Sequence, residues 1–292
     1  MTGLVDIHCH GGGGATFGDS VEASIAAASA HHAAGTAVVV GSLVTASIPV
    51  LCSRLEVMRA SAEADPRIGG AHLEGPFLSP SRKGAHDPAF LMSPTPALVD
   101  DLVAASAGTL RQVTIAPELP GALDAIRQFV AAGVVVAVGH TEATAPLARE
   151  AFDAGARLIT HALNAMPGII AREPGAVGAA LADERISIEV IADGIHVAPE
   201  LIALLFRHAP GRVVLVTDAM AAAGAGDGAY SLGGLDIEVR GGRAVLAGTQ
   251  TLAGSTLTLE RAVQVAIEAG VSADDARLAA SVVPARLLGL AT

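Results

Sequence analysis

The chain has no tryptophan, one tyrosine and six phenylalanines among 292 residues. Apolar residues still make up 51% of it, so the core has to be built from alanine, valine, leucine and isoleucine. Small aliphatics buried repeatedly between strands and helices are what a layered α/β fold packs. Positive charge is also scarce: 18 Lys and Arg face 29 Asp and Glu, for a net charge of −11, and Lys83 is the sole lysine. That balance argues against nucleic acid and anionic membrane as partners, since both are held by concentrated basic patches. Two cysteines supply no disulfide framework, which fits a reducing compartment. No apolar run reaches the ~18–20 residues that span a bilayer. The opening MTGLVDIHCH has no basic stretch leading into an apolar one, so no secretory signal is read. The expected location is the cytoplasm.

What is present is an alternation of β-rich and alanine-rich stretches. Strands are expected at 4–8, 36–42, 67–74, 110–118, 134–140, 156–162, 185–194 and 212–219. Helical composition lies between most of them, at 20–33, 47–63, 93–105, 121–132, 144–153 and 199–208. Such alternation predicts a parallel sheet. Eight units in ~220 residues fit a closed (β/α)8 TIM-type barrel better than an open sheet. The link 163–184 is long and contains Gly and Pro, so it reads as a functional loop rather than a helix. Gly-Gly pairs between alternating apolar residues in 229–250 predict a β-hairpin insertion after the eighth strand. Helices over about 256–269 and 273–282 would close the barrel. No repeat beyond the βα period and no low-complexity linker appears, so 1–292 is expected to be one barrel domain.

The reactive side chains fall at strand ends. The first strand ends DIHCH, the third HLEGP, the fifth VGHT, the sixth THALN and the eighth VTDA. In a barrel these ends converge on one mouth, where the chemistry is done. His8 and His10, two apart on a strand, project from the same face and can share a cation, while Cys9 points away as a small buried thiol. Alone, the His-x-His is an ordinary polar pair. With Glu74, His140, His161 and Asp218 in phase, it becomes a metal-ligand cluster. Asp218 has a plainer alternative as a helix N-cap, and Glu74 as an exposed loop acid. His72 shares the face of Glu74 one layer deeper and reads as a hydrogen-bonded support. The GGGG run at 11–14 lacks the ending of a phosphate-binding loop and reads as a close-packed or mobile loop beside the metal site. No G-x-S-x-G elbow supports a serine nucleophile.

These residues resemble the N-acetylglucosamine-6-phosphate deacetylases of the amidohydrolase superfamily. The resemblance runs in order through HLEGPF (72–77), KGAH (83–86), APE (116–118), GHT (139–141), THALNAMP (160–167), REPG (172–175), ADGIHV (192–197), TDAM (217–220), LAGST (252–256) and PARLLGL (284–290). It implies that Glu74, His140 and His161 bind a metal, that His8 and His10 serve members with a second metal, and that Glu74 bridges the two with Asp218 near the second. It further implies that His86 polarises the substrate carbonyl, and that Asn164, the Ala165 backbone, Arg172, His196 and Leu252 contact the sugar phosphate. Arg172 would reach into a neighbouring subunit's site, making a homodimer. Relatives that bridge metals with a carboxylated lysine after strand four are excluded, because that strand ends in APE and Lys83 follows strand three. Family members carry a small β-sandwich domain from segments before and after the barrel; this chain is expected to lack it.

The expected chemistry is deacetylation of N-acetylglucosamine 6-phosphate by metal-activated hydroxide, with Asp218 as general base and then acid. One or two divalent metals per subunit are expected, zinc first, with iron, cobalt or manganese also compatible. Two other readings stand beside it: a related metal-dependent deacylase or deaminase, and a non-catalytic barrel kept for ligand sensing or assembly. For Arg172, the plain alternative is a surface ion pair with Glu173.

Overall fold

The computed structural model describes residues 3–290. Eight strands form one parallel sheet in sequential order: β1 (Leu4–Cys9), β2 (Thr36–Val44), β3 (Ile68–Glu74), β4 (Leu110–Ile115), β5 (Val135–Val138), β6 (Leu158–Ile159), β7 (Ser187–Ile191) and β8 (Val213–Val216). The sheet closes on itself where the Asp218 N–H donates to the His8 carbonyl at 2.8 Å and the His10 N–H to the Ala219 carbonyl at 2.7 Å. This is the (β/α)8 barrel that the alternation predicts. Its strands read as near-continuous apolar runs because both faces are covered. Val5, Ile7, Val40, Leu73, Val113, Val136, Ile188 and Val214 are all fully buried. Four of the six phenylalanines (Phe17, Phe77, Phe129, Phe152) also lie in the core, filling space that small aliphatics leave.

The outer layer contains α1 (Val21–Ala33), α2 (Ile48–Ala64), α3 (Pro96–Ser106), α4 (Ala122–Ala131), α5 (Ala145–Ala154), α6 (Gly175–Leu181), α7 (Pro199–His208), α8 (Leu259–Glu268), α9 (Ala273–Ala279) and α10 (Val282–Leu288). Their starts follow capping chemistry. Ser20, Thr95, Thr144, Thr258 and Ser272 each accept a backbone N–H of the first turn through the side chain.

Three expectations need correction. The link 163–184 is not helix-free: α6 forms inside it despite Gly175, Gly178 and Pro174. Burial of Ala176, Val177, Ala179 and Ala180 outweighs their weak propensity, and a Cβ on Gly178 would stand 2.4 Å from that of Pro174. The insertion after β8 is a three-stranded antiparallel sheet, not a hairpin: β9 (Gly228–Leu232), β10 (Leu235–Arg240) and β11 (Arg243–Leu246). Gly-Gly pairs at 233–234 and 241–242, all at positive φ, make both turns. The stretch 273–282 splits into α9 and α10, because Pro284 has no N–H to continue a single helix.

The glycine run also resolves into structure. Gly11–Gly12 pairs with Ala15–Thr16 in a short ladder, and Gly13 and Gly14 turn between them at φ 61° and 85°. Among the described residues, no helix is long and apolar enough to cross a membrane.

Candidate active site

Five barrel strands deliver the cluster. His8 lies in β1 with His10 just beyond it, and Glu74 closes β3. His140, His161 and Asp218 stand two residues past the ends of β5, β6 and β8. At each of those three the backbone turns through the left-handed region, with φ of 46°, 24° and 49°. For residues with a Cβ this conformation costs about 1–3 kcal/mol each and persists where the surroundings over-determine it. Ala165 shares it, at φ 49°. Asp218 is therefore no helix cap, since turns rather than a helix follow it, and Glu74 is buried rather than an exposed loop acid.

Glu74 sits at the centre. Its Oε1 lies 2.9 Å from His161 Nε2, 3.2 Å from His140 Nε2 and 3.4 Å from His8 Nε2. Its Oε2 lies 3.2 Å from His10 Nε2 and 3.3 Å from His86 Nε2. Asp218 Oδ1 approaches His10 Nε2 at 3.1 Å and His8 Nε2 at 3.4 Å. The result is two groups of ligand-type atoms sharing one carboxylate: Glu74, His140 and His161, and His8, His10, Glu74 and Asp218.

The protons show what such a cluster is suited to hold. His8, His10 and His140 use Nδ1 toward the Glu189 carboxylate (3.0 Å), the Ser42 carbonyl (3.1 Å) and the Arg82 carbonyl (2.7 Å). These acceptors bring no proton, so each Nδ1 carries one and Nε2 faces the cluster. The Nε2 of a neutral ring is a lone pair, and here it meets carboxylate oxygens at 3.1–3.4 Å. His140 and His161 Nε2 lie 3.0 Å apart. His161 Nδ1 has no partner among the described residues, so its Nε2 can carry a proton toward Glu74 and His140 or, with that proton lost, share one cation with His140. His8 Nε2 is buried without any hydrogen-bond partner. Imidazole nitrogens with carboxylates are the donor set of zinc and of other first-row divalent ions. The residues fit a divalent metal.

Without a cation the carboxylates favour a second proton on His8 and His10, so protons and a metal compete for the same Nε2 positions. Burial opposes charge on every member. Even so, Glu74, Glu189 and Asp218 raise His8 well above the usual histidine value, and Asp218 and Glu74 raise His10 to about 9. Burial would likewise raise Glu74, but the charge of His8 and hydrogen bonds from His10, His140 and His161 hold it well below the carboxylate range. Against the same penalty, His8 and His10 bring Asp218 down to about 2. His86 goes the other way: burial, then the charge of His140, lower it to about 4 against the pull of Glu74. Its Nδ1 receives the Thr45 N–H at 3.4 Å, so the neutral ring presents Nε2–H. His72 lies behind the cluster, bonded to Ser42 Oγ and Thr114 Oγ1 at 2.9 Å each. Cys9 faces away, its Sγ 3.1 Å from His31 Nε2.

A cleft of 480 Å³ opens over the cluster, lined in part by His86, Asn164, Ala165, His196 and Leu252. Asn164 is steadied by the carbonyls of His161 and Ala162 at 3.2 Å, and His196 Nδ1 by Asp193 at 2.6 Å. Arg172 is not brought there: it is exposed on the link after β6, outside the cleft of its own chain. Nor does it pair with Glu173, whose carboxylate accepts the Ala145 N–H, and no ion pair involves Arg172 among the described residues. Sequence reading missed Arg82 and Arg243, which line the cleft, and Glu189 beneath it. An acid inside the apolar run of β7 was the available signal for Glu189; Arg243 carried none.

A (β/α)8 barrel with a histidine–carboxylate cluster at its C-terminal mouth is the framework of a metal-dependent hydrolase. Residues 1–292 match the amidohydrolase family, and the chain belongs to it. The chain is 40% identical to an N-acetylgalactosamine-6-phosphate deacetylase of Escherichia coli O157:H7, over 98% of this chain and 77% of that protein. It is 37% identical to an N-acetylglucosamine-6-phosphate deacetylase of Vibrio furnissii, over 99% and 74%. Among solved structures, a mutant N-acetyl-D-glucosamine-6-phosphate deacetylase of Mycobacterium smegmatis in complex with N-acetyl-D-glucosamine-6-phosphate superposes with a TM-score of 0.96. That protein is 46% identical, covering 99% of this chain and 77% of its own.

Proposed function

We propose that this protein hydrolyses the N-acetyl amide of N-acetylglucosamine 6-phosphate, giving glucosamine 6-phosphate and acetate. The observation that carries the reading is the meeting of Glu74, His140 and His161 from three separate strands, within 3.2 Å of one another. The likeness to enzymes named for this reaction supports the substrate. A divalent cation at Glu74, His140 and His161, with a second place at His8, His10 and Asp218, would supply a Lewis acid and a more acidic water. Zinc is the first choice, with iron, cobalt or manganese compatible.

The chain's own groups do the proton work. Asp218 stays ionised, the form a base needs, and takes a proton from the attacking water. The water's oxygen adds to the acetyl carbon, and His86 Nε2–H donates to the carbonyl oxygen as charge builds there. Asp218 returns the proton to the amine nitrogen as the C–N bond breaks. Asn164, the Ala165 backbone and Leu252 contact the sugar, and His196 and Arg172 the phosphate. Arg172 acts across a homodimer into the neighbouring site, which suits its unpaired, exposed position. The place of action is the cytoplasm.

The test is acetate release from phosphorylated and unphosphorylated N-acetylglucosamine. A charge-assisted contact to phosphate gives a preference of about 10²-fold in kcat/KM. Equal values for the two sugars contradict phosphate recognition. Because one relative is named for the galacto epimer, that sugar phosphate is the second reading. A higher kcat/KM for it would replace the gluco substrate and leave the chemistry intact.

A further inference from the structure

Glu189 lies in the middle of β7, fully buried, facing into the barrel beneath the cluster rather than into the cleft. A carboxylate there costs several kcal/mol unless its oxygens are matched by donors. Three donors match them. Oε2 accepts the His8 Nδ1–H at 3.0 Å and the His161 backbone N–H at 3.1 Å, and Oε1 accepts the Gln112 amide at 2.8 Å. One oxygen thus grips a residue from each ligand group, His8 on β1 and His161 beyond β6.

We propose that Glu189 is the positioning residue that commits His8 to ligation through Nε2 and locks its imidazole to the His161 backbone, holding the two cation places at one spacing. The inference rests on the metal reading above. His8 has no other partner at Nδ1 among the described residues, and its Nε2 faces the Glu74 and Asp218 carboxylates at 3.4 Å, so without Glu189 the proton of the neutral ring moves to Nε2, the atom a metal needs bare. The hold on His161 is through the main chain at a left-handed residue, φ 24°, where a backbone N–H bond fixes the turn that aims the ring. A carboxylate accepting the outer N–H of a ligating histidine orients the ring and raises its basicity, and loss of such a partner costs about 10–100-fold in metal affinity.

The pair Glu189→Gln and Glu189→Ala separates charge from shape. Glutamine keeps an oxygen for His8 and His161, and its amide can be received by Gln112 Oε1, which has no partner now. Two readouts are needed on full-length protein, with thermal melts to verify folding. In the metal-free state, at a pH high enough to leave His8 neutral, 15N NMR should show His8 as the Nδ1–H tautomer in the wild type and in Glu189→Gln, and as the Nε2–H tautomer in Glu189→Ala. Titration with Co2+ should show affinity falling about 10-fold in Glu189→Gln and about 100-fold in Glu189→Ala. A merely structural role would lower the melting temperature while leaving tautomer and affinity as in the wild type, and that result overturns the proposal. So does an Nε2–H tautomer of His8 in the wild type. If the wild type binds no Co2+, the metal reading fails by itself, and the tautomer measurement still decides whether Glu189 governs His8.

Discussion

At the scale of single residues, Asp218 is buried beside a second carboxylate, and its ionisation depends on the imidazoles around it. Replacing it with asparagine keeps shape and removes the proton acceptor. Asp218→Asn should lower kcat by about 10²–10⁴-fold while metal content and substrate binding change little. Near-normal kcat would remove Asp218 from the chemistry. Asp193 is a second carboxylate set below its usual value: burial would raise it, but the hydrogen bond and charge of His196 prevail. A depressed carboxyl stabilises the fold above its unfolded value of ~3.9 and loses that contribution as pH falls through the lower folded value. Asp193→Asn should therefore melt lower than the wild type at pH 7, and the gap should close as pH falls below the usual carboxylate range; a gap that does not change with pH contradicts the assignment. Most cluster residues were legible because a His, Glu or Asp directly after an apolar run is conspicuous. Their backbone was not. His140, His161 and Asp218 occupy a conformation that normally selects Gly or Asn, so local preference gave no sign of the turns that aim them.

At the scale of elements, the sheet β9–β11 has a small core of its own, in which Leu232, Ile237 and Val239 pack on Val44, Met220 and Ala253. It also carries Arg243 to the cleft, with Gln250 to Leu252 following β11. Ile237→Ala should cost about 2–5 kcal/mol, as other buried Ile→Ala changes do. If this sheet forms the substrate wall, KM should rise more than kcat falls; unchanged KM with a lowered melting temperature would leave it a purely structural part. The third strand escaped the sequence because its residues alternate weakly, while the Gly-Gly turns were plain. Helix α6 escaped for the opposite reason: its glycines and Pro174 argue locally for a loop, and only packing against its neighbours makes it helical. The barrel strands themselves were readable from apolar runs, though the pairing stops two residues short of His140, His161 and Asp218 while Glu74 is itself paired.

At the scale of the whole molecule, closing a sheet of eight strands brings residues more than 200 positions apart, His8 and Asp218, to 3.4 Å. The barrel thereby collects four histidines and two carboxylates whose nitrogens and oxygens a divalent cation can bind in place of protons. Ligand binding to the folded state stabilises it by RT ln(1 + [L]/Kd), about 4 kcal/mol at 1,000 times Kd. Chelation should accordingly lower the melting temperature by several degrees, reversibly on adding zinc. An unchanged melt after verified metal removal would place the cation elsewhere. The most direct measurement is acetate release from N-acetylglucosamine 6-phosphate as metal-free protein is titrated with zinc. Turnover should be absent at the start and rise in proportion to zinc bound, reaching its plateau at one or two ions per chain. Full turnover by protein shown to hold no metal would contradict the account.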